Sequence, residues 1–316
     1  MTLPNFLVIG AGRSGTTSLH YYLGEHPDVF LPDVKSPSYF FCNGRSPDED
    51  PYIRSVAQDY SVYDAADYEG LFDGVRNEKA IGEVSPAYLA TVHAAPRIAA
   101  RLPDVRLVAL LRHPVDRAFA RFVGRRRDGL ERRVDFADVV RDERKQPLIR
   151  DEAVGTYLAA GFVGHFLASY LERFSRDRIR IHLFEDFQEN PAGIMRDLFA
   201  FLGVDPAFVP DVSRRHNRSG GLVRNQLVRR AWTHSATLRA RLRRYLPKTM
   251  RDRAFALITQ DILPVRLDST LRAELTRLYR SDIERLEVLL GRDLSDWLDP
   301  AGANDRSSRS TASAVV

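Results

Sequence analysis

Asn5-Phe6-Leu7-Val8-Ile9-Gly10-Ala11-Gly12-Arg13-Ser14-Gly15-Thr16-Thr17-Ser18 governs how the rest of the chain is read. Residues 5–9 form a short apolar run closed by Gly10, the pattern of a buried parallel strand feeding straight into a glycine turn. A helix is expected from about Thr16. Between strand and helix, a glycine-rich loop turns backbone N–H groups toward one point, where the helix dipole adds to their attraction for an anion. The stretch therefore predicts a phosphate-binding loop. A structural turn without a ligand would leave these donors unused.

Three phosphate chemistries compete for it. A nucleoside triphosphate loop would need lysine where Thr16 stands, because that lysine reaches the terminal phosphates and the next hydroxyl holds magnesium. A dinucleotide fingerprint is met by Gly10, Gly12 and Gly15, with Asp33 about 20 residues further on. That reading leaves Arg13 and the hydroxyls unexplained. The third uses them: Arg13 neutralises a leaving phosphate, while Thr16, Thr17 and Ser18 donate without a metal.

Further along, Val105 to Leu111 is a second buried run, ending at Arg112-His113-Pro114 and handing over to Val115, Ala118, Phe119 and Phe122 at helical spacing. A third, Ile179 to Phe184, precedes Asn190-Pro191, an N-cap followed by proline at the first helical position. The helix after it carries Ile194, Met195, Leu198, Phe201 and Leu202 and stops at Gly203. Strands alternating with helices predict an α/β fold: a P-loop-like parallel sheet flanked by helices on both faces, with ligands at the strands' carboxyl ends. Amphipathic helices are expected in the arginine-dense stretch from Leu222 to Arg253, and a last long helix from Asp268 to Leu290. One domain over 1–300 and a disordered tail over 301–316 complete the expectation.

With these motifs in place, the chain resembles the sulfotransferases that use 3′-phosphoadenosine 5′-phosphosulfate (PAPS), in their bacterial and carbohydrate branch. The loop is similar to the family's 5′-phosphosulfate loop, a basic residue, a variable one, then Gly-Thr-Thr and a small residue; Leu19 to Leu23 and His26-Pro27-Asp28-Val29 continue the likeness. The segment from Leu110 to Phe122 resembles the 3′-phosphate segment, with Arg112 in place and Ala120 where the family has serine. Gly82 to Tyr88 resembles the family's central strand and its turn; Phe184 to Phe187, Asn190-Pro191, Phe201 to Gly203 and Leu290 to Leu294 with Trp297 match later elements. His216-Asn217-Arg218-Ser219-Gly220 resembles the loop that closes over the nucleotide.

The resemblance implies sulfuryl transfer from PAPS, a co-substrate, to a hydroxyl acceptor: a sugar, lipid, phenol or small metabolite. It implies cofactor contacts from Arg13, Ser14, Gly15, Thr16, Thr17, Ser18, Arg112, Arg218, Ser219 and Gly220, with Arg13 acting electrostatically on the leaving group. The base is less direct. Relatives with a segment like Lys35-Ser36-Pro37-Ser38-Tyr39-Phe40 often carry glutamate at Ser36 and histidine at Ser38. Glu83, at a predicted strand end, is the substitute candidate, with a structural role as its alternative; Lys35 is a candidate contact for the donor sulfate. Two other functions remain open, a dinucleotide-dependent oxidoreductase and a catalytically degenerate PAPS-binding relative.

Composition narrows the field. At 316 residues and 44% hydrophobic content the chain can bury a full core. Positive charge is nearly all arginine, lysine occurring only at 35, 79, 145 and 248, which supplies planar forks for phosphate and sulfate. The single Cys42 excludes an intramolecular disulfide and a cysteine metal site. No apolar run approaches the roughly 20 residues that span a bilayer, and Met1 to Phe6 lacks a signal peptide's basic start, so a soluble cytoplasmic protein is expected. The eight histidines show no metal spacing, and His20 and His26 read as surface and turn residues. Nucleic acid is not an expected partner, since only Trp232 and Tyr245 interrupt the arginines of 222–253. The runs Asp48-Glu49-Asp50 and Arg125-Arg126-Arg127 read as solvated charge, Tyr39-Phe40-Phe41 as core, and Cys42 to Gly74 as part of an acceptor wall.

Overall fold

The computed structural model describes residues 2–56, 61–213, 222–223, 262–263 and 266–299. Its strands β1 (Phe6–Gly10), β2 (Val29–Phe30), β3 (Ala80–Val84), β4 (Arg106–Leu111) and β5 (Ile179–Leu183) run parallel in one sheet, in the order β2-β3-β1-β4-β5. The helices are α1 (Thr16–Gly24), α2 (Tyr39–Cys42), α3 (Pro51–Val56), α4 (Ala65–Gly70), α5 (Ala94–Arg101), α6 (Pro114–Arg127), α7 (Phe136–Glu143) and α8 (Val163–Leu171). After them come α9 (Phe184–Glu189), α10 (Pro191–Leu202), α11 (Ser269–Leu290) and α12 (Ser295–Leu298). Leu222–Val223 and Ile262–Leu263 pair antiparallel as β6 and β7.

The period of two in β1 builds both faces of the molecule. Phe6 and Val8 join Leu19, Leu23, Val108, Leu110, Met195, Leu198 and Phe199, so α1 and α10 cover one face. Leu7 and Ile9 join Ile98, Val115, Ala118, Phe166, Leu275, Tyr279 and Ile283, so α5, α6, α8 and α11 cover the other. Each Val, Leu, Ile, Phe and Met side chain among these contributes about 1.5–3 kcal/mol on burial, and all five residues of β1 are buried, as a strand covered on both faces requires. Gly82 is needed on β3 because a Cβ there would stand 2.5 Å from the Phe6 ring.

Local signals set the helix ends. Asn190 accepts from the Gly193 N–H at 2.9 Å with Pro191 at the first turn, and Gly203 closes α10 at φ 78°. Asp268 caps α11 through the Leu271 N–H at 2.9 Å, and Gly291 ends it at φ 62°. Arg272 on α11, 4% exposed, grips Asp116 on α6 through two bonds of 2.7 and 2.9 Å. That pair fixes α11 against the helix that follows β4.

Two expectations need correction. The strand carrying Glu83 is interior but not the middle one: β3 lies between β2 and β1, and β1 has two strands on either side. Leu222–Val223 is a short strand, not the start of a helix; the remaining expected helix positions up to Arg253, and the tail 301–316, lie outside the described residues. From β1 the chain moves toward β2 and β3, and from β4 toward β5. The crevice at this reversal opens between the carboxyl ends of β1 and β4, where a ligand is expected in such sheets.

Candidate active site

The loop after β1 is built into that crevice. The Ala11 N–H donates to the Leu110 carbonyl at 2.8 Å, and Arg112 at the end of β4 donates to the Arg13 carbonyl at 3.1 Å. The two motifs are therefore joined through the loop backbone. Gly15 has φ 90°, and a Cβ on it would stand 3.1 Å from the Phe184 ring and 3.3 Å from Leu110, so glycine is required for both conformation and space. Arg13 is itself left-handed at φ 71°. Helix α1 starts without a side-chain cap or an acidic residue in its first turn, which leaves the positive end of its dipole facing the cavity.

A cavity of about 580 Å³ lies over this loop. Gly12, Arg13, Gly15, Thr16, Thr17 and Ser18 line it, together with Arg112, Phe184, Ser36, Ser38 and Phe41. Ser14 is fully buried beneath the loop, so its side chain does not reach the cavity. Lys35 donates to Thr17 Oγ1 at 2.7 Å; burial, and then the charge of Arg13, pull its pKa down to about 8. Arg112 lies 4.6 Å over the Phe184 ring, and its pKa is lowered chiefly by burial, against the opposing charges of Asp116 and Glu185.

Arg13 does not lie free in solvent. Its guanidinium rests on α6 at Gly124, where a Cβ would come within 2.8 Å of it. Burial lowers its pKa first, Asp128 opposes this, and Arg127 and Arg125 reinforce it. On α6, Arg117, Arg121, Gly124 and Asp128 follow one another at helical spacing on the side turned to the cavity, and all but Gly124 line it. The Arg125–Arg127 run is accordingly not simply solvated: Arg127 is 8% exposed, lines the cavity and bonds Asp128 at 3.0 Å. None of these α6 residues was singled out from the sequence as a site. The signal available was the four-three-four spacing that starts at Arg117 and ends at Asp128, the residue that closes α6.

Glu83 sits elsewhere. It is 1% exposed and lines no part of the cavity; Ser85 Oγ and Tyr88 OH each donate to it at 2.5 Å and Tyr68 OH at 3.4 Å. Burial lifts its pKa to about 7 in spite of these three bonds. Ser85 Oγ in turn accepts the Ser38 N–H at 3.0 Å, which ties the left-handed Ser36 and Ser38 turn (φ 62° and 58°) to the sheet. Asp128 is the one carboxylate that lines the cavity among the described residues. Asp33 is exposed and follows an edge strand two places from β1, so it cannot serve a dinucleotide as the acidic partner beside the first strand. Arg218, Ser219 and Gly220 lie outside the described residues.

The model of the family described as "Sulfotransferase family" matches residues 4–209. The membrane-associated sulfotransferase kil1 of Dictyostelium discoideum is 34% identical over 125 residues, 39% of this chain and 23% of that protein. The bifunctional heparan sulfate N-deacetylase/N-sulfotransferase 2 of Mus musculus is 28% identical over 210 residues, 65% of this chain and 22% of that protein. The chain thus spans under a quarter of the length of these curated relatives. A sulfotransferase crystal structure from Alicyclobacillus acidocaldarius superposes with a TM-score of 0.69 at 29% identity, covering 95% of this chain and 100% of the other.

Proposed function

Because the chain belongs to the sulfotransferase family, we propose that it transfers a sulfuryl group from PAPS to a hydroxyl acceptor without a metal. One observation carries the proposal: Arg13, Lys35 and Arg112 stand around the uncapped end of α1, in a cavity at the reversal of strand order. The loop amides and the hydroxyls of Thr16, Thr17 and Ser18 would hold the 5′-phosphosulfate. Ser14 joins them through its backbone only, and Arg112 would hold the 3′-phosphate. The segment Arg218-Ser219-Gly220 is assigned to closure over the nucleotide.

In the reaction the bond from sulfur to the bridging phosphate oxygen breaks and that oxygen keeps the electron pair. The acceptor oxygen bonds to sulfur, and its proton leaves. Charge accumulates on the bridging oxygen, where the fixed cations Arg13 and Lys35 stabilise the transition state. Arginine supplies this as a charge only, since its pKa stays far above neutrality. We assign the acceptor's proton to Asp128, which lines the cavity, and give Glu83 the task of holding the Ser38 turn. A cytoplasmic location belongs to the same proposal. No helix among the described residues is long and apolar enough to cross a membrane.

Adenosine 3′,5′-bisphosphate at about 100 times its Kd should stabilise the fold by about 2.7 kcal/mol, and NAD should not. Absence of a thermal shift at millimolar bisphosphate defeats donor binding. Where the shift appears, release of bisphosphate from PAPS with a phenol or sugar acceptor separates an enzyme from a degenerate binder.

A further inference from the structure

The donor's negative charges are accounted for by the loop, Lys35 and Arg112, yet the cavity holds cations beyond these. Arg117 is 2% exposed and donates once, to the Tyr157 carbonyl; its Nε has no partner among the described residues. Arg121 has a buried Nε, also without a partner among those residues, and stands over the face of Tyr157 at 5.9 Å. Burial, and then Arg117, Arg125 and Arg13, press its pKa down to about 9.

Arg121 also stands at a boundary. It lines the main cavity and an adjoining recess of about 230 Å³ whose wall includes Tyr52, Ser55, Arg125 and Thr156. The recess shares no residue with the phosphate loop or with Arg112, and no carboxylate lines it among the described residues. A guanidinium whose Nε is buried with no hydrogen-bond partner among the described residues is unfavourable until an anion reaches it, and its fork suits an oxyanion.

We infer that Arg121 binds an anionic group, a carboxylate, phosphate or sulfate, carried by the acceptor itself, and that the recess receives the part of the acceptor bearing it. The inference rests on the sulfuryl-transfer reading, which gives the donor's own charges to the phosphate loop, Lys35 and Arg112.

The test uses the full chain saturated with adenosine 3′,5′-bisphosphate, so that free anions cannot occupy the phosphate loop. Calorimetric titration with glucuronate, inorganic phosphate and glucose should show binding of glucuronate, of phosphate, or of both, and none of glucose. The two charged arms separate carboxylate from phosphate recognition. Arg121→Gln should weaken the anion by about tenfold or more, the loss expected for a charged hydrogen bond. Arg121→Lys should retain part of it, and bisphosphate affinity should be equal in both variants. Equal behaviour of glucuronate and glucose, or no anion binding in the saturated wild type, overturns the inference with donor binding intact. So does anion binding that survives Arg121→Gln and disappears in Lys35→Met. Failure of bisphosphate itself to bind removes the underlying reading instead, and the inference with it.

Discussion

Glu83→Gln isolates what a buried carboxyl does to this fold. Burial raises the Glu83 pKa from the ordinary 4.5 to about 7, even though Ser85, Tyr88 and Tyr68 all donate to it. A carboxyl whose folded pKa lies above its unfolded one binds its proton more tightly in the native state. Its stabilising contribution is complete below pH 4.5 and is lost as pH rises through 7. At about 1.4 kcal/mol for each unit, the full loss is about 3.5 kcal/mol, of which about 3 falls between pH 4.5 and pH 8. Glutamine cannot titrate, so its own hydrogen-bond defects lower stability by the same amount at every pH. Urea unfolding of both proteins from pH 4.5 to pH 8 gives the difference, in which all other titrating groups cancel. The wild type should lose about 3 kcal/mol relative to Glu83→Gln across that range, with the midpoint of the loss on the acid side of neutrality. A flat difference would refute the burial argument. Because Glu83 lines no cavity surface, bisphosphate affinity should be the same in the two proteins.

Two further substitutions address the chemistry. Gly124→Ala adds a good helix former to α6, worth up to about 1 kcal/mol, but its Cβ takes the place where the Arg13 guanidinium rests. Turnover should fall at least about tenfold while bisphosphate binding and thermal stability hold; unchanged turnover would show that Arg13 works from another position. Asp128→Asn should lower kcat by about 100-fold, the low end for a general base, with little change in the KM for PAPS. Equal losses in both constants would make Asp128 a binding residue.

The parts of the fold that were legible share one property: each is decided within a few residues. The strand and turn at 5–15, the Asn190-Pro191 start of α10 and the start of α11 at Asp268, which proves to be its cap, are all local patterns, and the structure has them within a residue of where expected. Two-residue β2 offers no periodicity to read. Phe40 and Phe41 were legible as core and are 2% and 1% exposed. His26 reads as a turn residue and is one, but it is buried at 2% exposure with Nδ1 accepting the Asp28 N–H and Nε2 against the Asp205 carbonyl 179 positions away. That last partner is set by tertiary packing alone. The candidate site divides in the same way. Loop and Arg112 announce themselves by motif, whereas Glu83 turns inward and Asp128 comes forward because of how β3 and α6 are oriented, which no short pattern encodes.

The join between Ser85 and Ser38 has a consequence for how such a molecule can change. The segment from Ser38 to Tyr68 reaches the sheet through a small set of bonds centred on Glu83: Ser38 N–H to Ser85, Phe40 N–H to Tyr88 at 3.4 Å and Tyr68 to Glu83 itself. None of the three bonds involves a residue of the phosphate loop. Its other anchors, Arg97 to the Phe40 carbonyl, Arg45 to Glu152 and Tyr52 to the Val154 carbonyl, also avoid the loop, so exposed positions between these anchors can change without disturbing the nucleotide half. A protein built this way inherits its donor and is free to acquire its acceptor.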